Sequence, residues 1–358
     1  MRAQIEPTFW AGRRVFLTGH TGFKGAWLSL LLGRLGAMVT GYALPPNSED
    51  DLFELAGIDA DLRHREGDIR DLDGLSTALA GARPDIVIHM AAQALVRRSY
   101  NAPVETYATN VMGTVNVLEA SRRAGGVTAI VVVTSDKCND NREWVWGYRE
   151  DEPLGGRDPY SNSKGCAELV TAAYRDSFLA ADGCRVATAR AGNVVGGGDW
   201  SEDRLVPDAV RAFRRSLPLR IRHPKAVRPW QHVLEPVSAY LLLAQALAGP
   251  HGEDAANSWN FGPGADSEIE VGAVAGCLAA LWGPEAAWEA DAGPHPHEAT
   301  FLKLDCAKAR RQLGWWPVTD VEDALRLSVA WYRAHRDGSD MRSFTLGQVD
   351  AFLERRRA

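Results

Sequence analysis

One segment narrows the choice of fold more than any other. The apolar run Val15–Thr18 leads directly into Gly19-His20-Thr21-Gly22-Phe23-Lys24-Gly25, and beyond it Trp27, Leu28, Leu31, Leu32 and Leu35 recur at helical spacing. A strand that turns through glycines into a helix is the first half of a βαβ unit, whose strands pair in parallel. The pattern repeats. Val39–Ala43 and Ile86–Met90 read as strands, a helix runs from about Val104 to Ala124, and Ile130–Thr134 is a strand rich in β-branched residues. Such nearly continuous apolar strands are those buried on both faces of a sheet.

The expected fold is therefore α/β, a Rossmann-type doubly wound parallel sheet of six or seven strands with a smaller C-terminal lobe. Ala187–Val195 still reads as a strand of the main sheet. After about residue 196 the pattern loosens: Gly196–Trp200 is glycine-rich, and His223–His232 and Gly283–His297 read as loops over a site. Residues 1–195 are expected to form the nucleotide-binding unit, with residues 233–262 returning to it, and residues 196–358 to form mainly the substrate lobe.

Charge and composition remove other classes. With 40 basic against 46 acidic residues and a net charge of −6, the chain lacks the basic footprint that a nucleic-acid backbone requires. The longest apolar stretch, Ser238–Ala248, is interrupted by Gln245 and is far short of the roughly 20 residues that span a bilayer, so it reads as a buried helix and no membrane association is expected. The first residues contain no secretory apolar run, and the five cysteines (Cys138, Cys166, Cys184, Cys277, Cys306) are too scattered for a disulfide framework. Reduced thiols and a cytoplasmic location are expected.

The glycine loop also has a chemical reading. Glycines between a strand and a helix let the backbone approach a pyrophosphate, which the helix N-terminus then holds with amide donors and its dipole. The second strand runs out into Leu44-Pro45-Pro46-Asn47-Ser48, with Glu49, Asp50 and Asp51 only later and no Arg or Lys to neutralise a 2′-phosphate. NAD is thus favoured over NADP. Asp68 in GDIRD is a candidate for the adenine edge, and Ala91-Ala92-Gln93 follow the strand ending at Met90.

Tyr160 and Lys164 stand four apart in DPYSNSKG, so on a helix they share a face. An ammonium beside a phenol stabilises the phenolate and lowers its pKa, making a base for a hydroxyl proton. Thr134, at the end of the β-branched strand, is expected to contact the same hydroxyl.

Together these residues resemble the extended short-chain dehydrogenases/reductases, the NAD-dependent epimerase/dehydratase superfamily. The resemblance rests on GHTGFKG at 19–25, AAQ at 91–93, NVMGT at 110–114, TSDKC at 134–138, YSNSK at 160–164, AGNVVGGGDW at 191–200, RPWQHVLEP at 228–236, NFGP at 260–263 and HPHEA at 295–299. Asp136-Lys137, RPWQH and HPHEA point more narrowly to the branch of nucleotide-sugar 4,6-dehydratases that act on CDP-glucose and serve deoxysugar biosynthesis. The resemblance implies that NAD is held by Gly19, Thr21, Gly22, Phe23, Lys24, Gly25, Asp68, Ile69, Ala91, Ala92, Gln93 and Asn110, together with Thr134, Tyr160 and Lys164. It implies oxidation of the sugar at carbon 4, elimination of water across carbons 5 and 6, and reduction at carbon 6.

In most such dehydratases an Asp-Glu pair supplies the acid and base of the elimination. Here the second position is Lys137, so the resemblance makes Asp136 the acid and Lys137 the base; the other reading of Lys137 is a phosphate contact or a pair with Asp136. The branch usually carries an aromatic residue where this chain has Asn139. Asn193, Arg204, Arg228 and His232 match segments that line the nucleotide-sugar pocket, and Trp200 and Trp230 are either ring-stacking or core residues. His295 and His297, with Glu298, lack metal-site spacing, so no metal is expected. The superfamily commonly pairs two helices with their copies, which implies a homodimer. A 4-epimerase would need NAD, Tyr160 and Lys164 but no Asp136-Lys137; a uronic-acid decarboxylase would not need that pair either, and an NAD-sensing regulator would need neither Tyr160 nor Lys164.

Overall fold

A computed structural model describes residues 2–291, 293 and 300–358. Strands β1 (Arg14–Thr18), β2 (Met38–Ala43), β3 (Arg63–Glu66), β4 (Ile86–His89), β5 (Ala129–Val133) and β6 (Arg185–Ala191) come first. They are followed by β7 (Asn193–Val195), β8 (Leu219–Ile221), β9 (Val227–His232), β10 (Ser258–Phe261), β11 (Glu268–Glu270) and β12 (Trp288–Ala290). Seven strands build the main sheet in the order β10-β6-β5-β4-β1-β2-β3, and every neighbouring pair is parallel. The order reverses between β1 and β4. Connections leave these two strands in opposite directions, which opens a crevice beyond their C-terminal ends.

Alternation along β5 shows how the sheet is covered. Val131 and Val133 join the core that contains Leu28 and Leu241, whereas Ile130 and Val132 join the core that contains Leu75 and Val117. Helices Phe23–Arg34 and Leu234–Leu247 lie over the first face, and helices Leu72–Ala82 and Gly113–Ala124 over the second. Leu234–Leu247 contains the apolar stretch of the sequence and is almost wholly buried. No helix among the described residues is long and apolar enough to cross a membrane.

Four local readings change. The segment Ala187–Val195 is not one strand: β6 ends at Ala191, and β7 pairs with β9 in a separate sheet ordered β11-β9-β7. The break is at Gly192, where a Cβ would lie 2.7 Å from Pro229 and 3.2 Å from the Asp136 carboxylate. His223–His232 is not simply a loop, because Val227–His232 is the central, largely buried strand of that sheet. Within Gly283–His297, Trp288–Ala290 pairs with β8. The helix expected over Val104–Ala124 is broken into Pro103–Tyr107, a wider π turn over Ala108–Met112, and Gly113–Ala124. Asn110 sits in that turn, an irregularity common at functional sites.

The glycine-rich segment Gly196–Trp200 is clamped in place. A Cβ on Gly197 would meet the Trp331 ring at 1.9 Å, and the Trp27 indole donates to the Gly197 carbonyl at 2.9 Å. Trp200 donates to the Asp50 carbonyl at 2.7 Å, and Trp230, buried, donates to the Ile269 carbonyl at 3.2 Å. Both tryptophans serve packing in this structure.

Candidate active site

The glycine loop fits a nucleotide for steric reasons. Gly19 has φ +78°, and a Cβ there would sit 2.7 Å from the Ala91 amide nitrogen; a Cβ on Gly25 would sit 2.0 Å from the Gly19 carbonyl oxygen. Only glycine keeps the turn this close to both the helix and the loop after β4. Gly22 is the extended N-cap of helix Phe23–Arg34 and leaves its first amides without a side-chain cap, which is the cradle a pyrophosphate fills. Thr21 donates to the Leu44 carbonyl at 2.9 Å, and Phe23 packs toward Gly196. Lys24 turns inward over the Tyr240 ring, its Nζ 6.0 Å from the ring centre. Burial, with the charges of Arg204 and Lys164, pushes its pKa down to about 7 against the pull of Asp136 and Asp199.

Around the crevice the remaining cofactor candidates fall into two groups. Gln93 and Asn110 interlock: the Gln93 amide donates to Asn110 Oδ1 at 2.8 Å, and Asn110 Nδ2 donates to the Gln93 carbonyl at 3.0 Å and to Ser163 Oγ at 2.9 Å. The loop containing Ala91, Ala92 and Gln93 is thereby tied to the helix Pro159–Tyr174. Ile69 is buried against Gly113, whereas the Asp68 carboxylate folds onto Arg70, accepting from its amide at 2.9 Å and its Nε at 2.8 Å. That pairing holds Asp68 below the usual carboxylate range.

Helix Pro159–Tyr174 starts with Asp158, whose carboxylate accepts the Ser161 amide, and with Pro159 in its first turn. Tyr160 and Lys164 share its buried face. Lys164 Nζ donates to the Val133 carbonyl at 3.3 Å, and burial pushes its pKa down to about 8 although Glu168 and Cys138 oppose the change. The phenol of Tyr160 is raised rather than lowered. Burial dominates, Asp136 and Asp158 add to it, and only a hydrogen bond with Ser135 and the charge of Arg204 work the other way.

At the end of β5, adjacent residues diverge. Thr134 donates its hydroxyl to Glu168 Oε1 at 2.5 Å, away from Tyr160. Ser135, whose influence on Tyr160 opposes the rise of the phenol, donates to Asp136 Oδ1 at 2.9 Å and accepts the Lys137 amide at 3.2 Å. Asp136 is buried, and its Oδ2 has no hydrogen-bond partner among the described residues. Lys137 is half-buried, and its side chain makes no hydrogen bond or ion pair among those residues. Asn139 is buried, its Nδ2 3.5 Å from the Asp136 carbonyl.

Glu168, one turn beyond Lys164, carries no mark in its residue type alone. It also accepts from Thr188 at 2.6 Å, from Arg190 at 2.9 Å and from Ser258 at 3.1 Å. Its signal in the sequence is the same four-residue spacing that links Tyr160 to Lys164.

The four substrate candidates all follow the break at Gly192 in the chain. Arg204 lies 3.8 Å from Asp199 and donates to the Ala94 carbonyl at 3.5 Å, close to the crevice. Asn193 opens β7 immediately after Gly192, beside Asp136. Arg228 is buried in β9, donating to the Val227 carbonyl at 2.9 Å and the Thr300 carbonyl at 3.3 Å. His232 is fully buried, its ring 5.6 Å from that of Trp27, and burial pushes its pKa down to about 3. His295, His297 and Glu298 lie outside the described residues; among the described ones no cluster of His, Cys, Asp or Glu could hold a metal ion.

The structure thus gathers Lys24, Ser135, Asp136, Tyr160, Lys164 and Arg204 at the C-terminal edge of the sheet, with Lys137 next to Asp136. Known proteins share this architecture. The chain is 52% identical over 342 residues to the CDP-glucose 4,6-dehydratase of Salmonella typhimurium, covering 94% of this chain and 95% of that protein. It is 31% identical over 337 residues to a dTDP-glucose 4,6-dehydratase of Streptomyces griseus, covering 90% and 94% respectively. A dTDP-glucose 4,6-dehydratase of Streptomyces venezuelae, solved with NAD bound, superposes with a TM-score of 0.76 at 29% identity, over 91% of this chain and 99% of that one. Residues 15–261 match the family model, and the chain belongs to the NAD dependent epimerase/dehydratase family.

Proposed function

We propose that this protein removes water from CDP-glucose to give CDP-4-keto-6-deoxyglucose, using NAD that is regenerated in each turnover. The observation that carries this reading is the pair Asp136-Lys137 directly after Ser135, at the mouth of the crevice and beside Tyr160. A 4-epimerase has no use for an acid and a base at carbons 5 and 6. The 52% identity to the Salmonella typhimurium dehydratase supports the same choice and favours cytidine as the base.

NAD would be held by the glycine loop Gly19–Gly25, by the Ala91–Gln93 loop that Asn110 fixes, and by Asp68 and Ile69 at the other end of the crevice. When bound, it supplies the hydride acceptor for carbon 4 and the donor for carbon 6. Tyr160 takes the proton of the 4-hydroxyl. Its phenol is raised by burial, and the charge of Arg204 favours its ionised form. Ser135, rather than Thr134, faces Tyr160 to contact this hydroxyl, while Thr134 anchors Glu168 behind Lys164. Once carbon 4 is a ketone, the hydrogen on carbon 5 is acidic; Lys137 removes it, and Asp136 protonates the departing 6-hydroxyl. Arg204 and Arg228 would offer charge-assisted hydrogen bonds to the diphosphate, with Asn193 toward the sugar.

The protein is further proposed to work as a homodimer in the cytoplasm. Tyr100, Val104, Tyr107, Met112 and Leu169 are exposed on the segments 96–112 and 159–174, an apolar surface that a second copy would cover. The five cysteines are unpaired, as in a reducing compartment.

Incubation with NAD and each of CDP-, dTDP-, GDP- and UDP-glucose, followed by mass spectrometry, tests the assignment. Loss of water from CDP-glucose alone is the expected result. Conversion of any of these sugars to its galacto isomer without loss of water would replace the dehydratase reading by an epimerase.

A further inference from the structure

Two side chains at the point where the strand order reverses take no part in the chemistry above. Thr18 ends β1 and His89 ends β4, and the two are direct partners across this pair of strands. Both are buried. They face the helices Leu72–Ala82 and Gly113–Ala124, in step with Phe16 and Val87 on the same strands. The His89 ring lies between two hydroxyls: its Nδ1 is 2.7 Å from Thr18 Oγ1, and its Nε2 is 3.1 Å from Thr114 Oγ1.

The count of donors fixes the tautomer of this ring. Thr114 Oγ1 gives its one proton to the Asn110 carbonyl at 2.7 Å, so His89 Nε2 must carry hydrogen and donate to Thr114. Thr18 Oγ1 already accepts the Met90 amide at 3.1 Å and the Ala91 amide at 3.2 Å, which fills both its lone pairs. Its own proton is left for Nδ1, which must be bare. Every bond then runs one way, from the amides of Met90 and Ala91 through Thr18, His89 and Thr114 to the Asn110 carbonyl, and each polarises the next. Burial, with the charge of Lys164 adding to it, pushes the pKa of His89 down to about 3, so the ring keeps this neutral form with one donor and one acceptor.

We propose that His89 is a positioning residue for NAD, which it serves by locking the loop Ala91–Gln93 against the glycine turn. One end of the loop is held at the Ala91 amide through Thr18, and the other at Gln93 through the Asn110 side chain. His89 ties the two anchors together, since Thr114 returns its bond to the π turn that contains Asn110. The fit is close. A Cβ on Gly19 would lie 2.7 Å from the Ala91 amide nitrogen, so the spacing of the two loops depends on where Ala91 is held. A loop fixed beforehand need not be ordered when NAD arrives, and affinity gains accordingly. This inference rests on the placing of NAD against the Ala91–Gln93 loop given above.

Two measurements test it. In protein labelled with nitrogen-15 in histidine, the two-bond proton–nitrogen spectrum at about pH 7 should show His89, identified by the signals missing from His89→Leu, as a neutral ring with hydrogen on Nε2. Hydrogen on Nδ1, or a charged ring, would overturn the proposal. In calorimetric titrations of NAD into protein freed of nucleotide, His89→Leu and Thr18→Val should each weaken binding by about tenfold or more, with circular dichroism confirming the fold. The double variant should lose little more than either alone, because both changes break the same chain. His89→Asn, whose Oδ1 takes the place of Nδ1, and Thr18→Ser should recover most of the affinity. Native affinity in His89→Leu, or losses that add in the double variant, would overturn the positioning role. Failure of the native protein to bind NAD would instead overturn the reading of the cofactor site on which it rests.

Discussion

Glu168 and Arg190 form an ion pair at 2.9 Å in which each side chain is only 2% exposed. Arg190 comes from β6 and Glu168 from the helix that also carries Tyr160 and Lys164, so the pair pins that helix to the sheet at the level of the site. Glu168 is held below the usual carboxylate range: burial opposes its charge, but Arg190 and the hydroxyls of Thr134 and Thr188 prevail.

Removing one partner leaves the other charge buried alone. Glu168→Ala is expected to cost roughly 3–5 kcal/mol of unfolding free energy in urea titrations, with Glu168→Gln costing less because its amide still accepts hydrogen bonds. A folded-state pKa below the unfolded one adds stability above the unfolded value and loses it as pH falls through the folded one. The difference between native protein and Glu168→Gln should therefore shrink on acidification below about 4.5.

Lys137 and Tyr160 act at different stages and should fail differently. Lys137→Ala should permit oxidation at carbon 4 but slow elimination by about 10²–10⁴-fold, so that absorbance of reduced nicotinamide builds up on the enzyme. Tyr160→Phe should give no reduced nicotinamide at all. Unchanged turnover in Lys137→Ala would remove this lysine from the mechanism.

Lys24 and Lys164 are buried lysines whose pKa values fall to about 7 and about 8. Between those values and 10.5 the unfolded chain binds more protons than the folded one, so these groups make stability rise with pH through that window; below it both lysines are charged in both states and the cost of burying them is fully present. Lys24→Met should accordingly raise the melting temperature more at about pH 6 than at about pH 9. An equal gain at both would contradict the depressed value.

Two glycines of helix Phe23–Arg34 should respond in opposite ways. Gly25→Ala places a methyl group 2.0 Å from the Gly19 carbonyl and should abolish NAD binding measured by calorimetry. Gly33, in the same helix, has open space around its Cβ position, and Gly33→Ala should stabilise the fold by roughly 0.5–1 kcal/mol with NAD affinity unchanged.

The exposed apolar surface gives a prediction about assembly. Leu169→Arg, or Met112→Glu, should convert a dimer to a monomer in analytical ultracentrifugation while leaving circular dichroism unchanged. A monomeric native protein would refute the dimer.

What the sequence determined by itself is what short-range pattern encodes. The turn from Val15–Thr18 through Gly19–Gly25 into a helix, the doubly buried runs of β4 and β5, and the shared face of Tyr160 and Lys164 all follow from periodicity within about a dozen residues. Four features needed the tertiary structure. Arg63–Glu66 has no apolar run, and it is a strand only because β2 offers a free edge. Val227–His232 contains a proline and looks like a loop until β7 and β11 pair with its two sides. Glu168 meets Arg190, Thr134 and Ser258 from separate segments. Thr134 and Ser135 differ most instructively. They are adjacent and chemically alike, but side chains at the end of a strand point to opposite sides, and the alternation that begins with Ile130 and Val132 carries Thr134 toward Glu168. Which hydroxyl meets Tyr160 is therefore decided by which elements cover each face of the sheet, and that information lies in no single stretch of the chain.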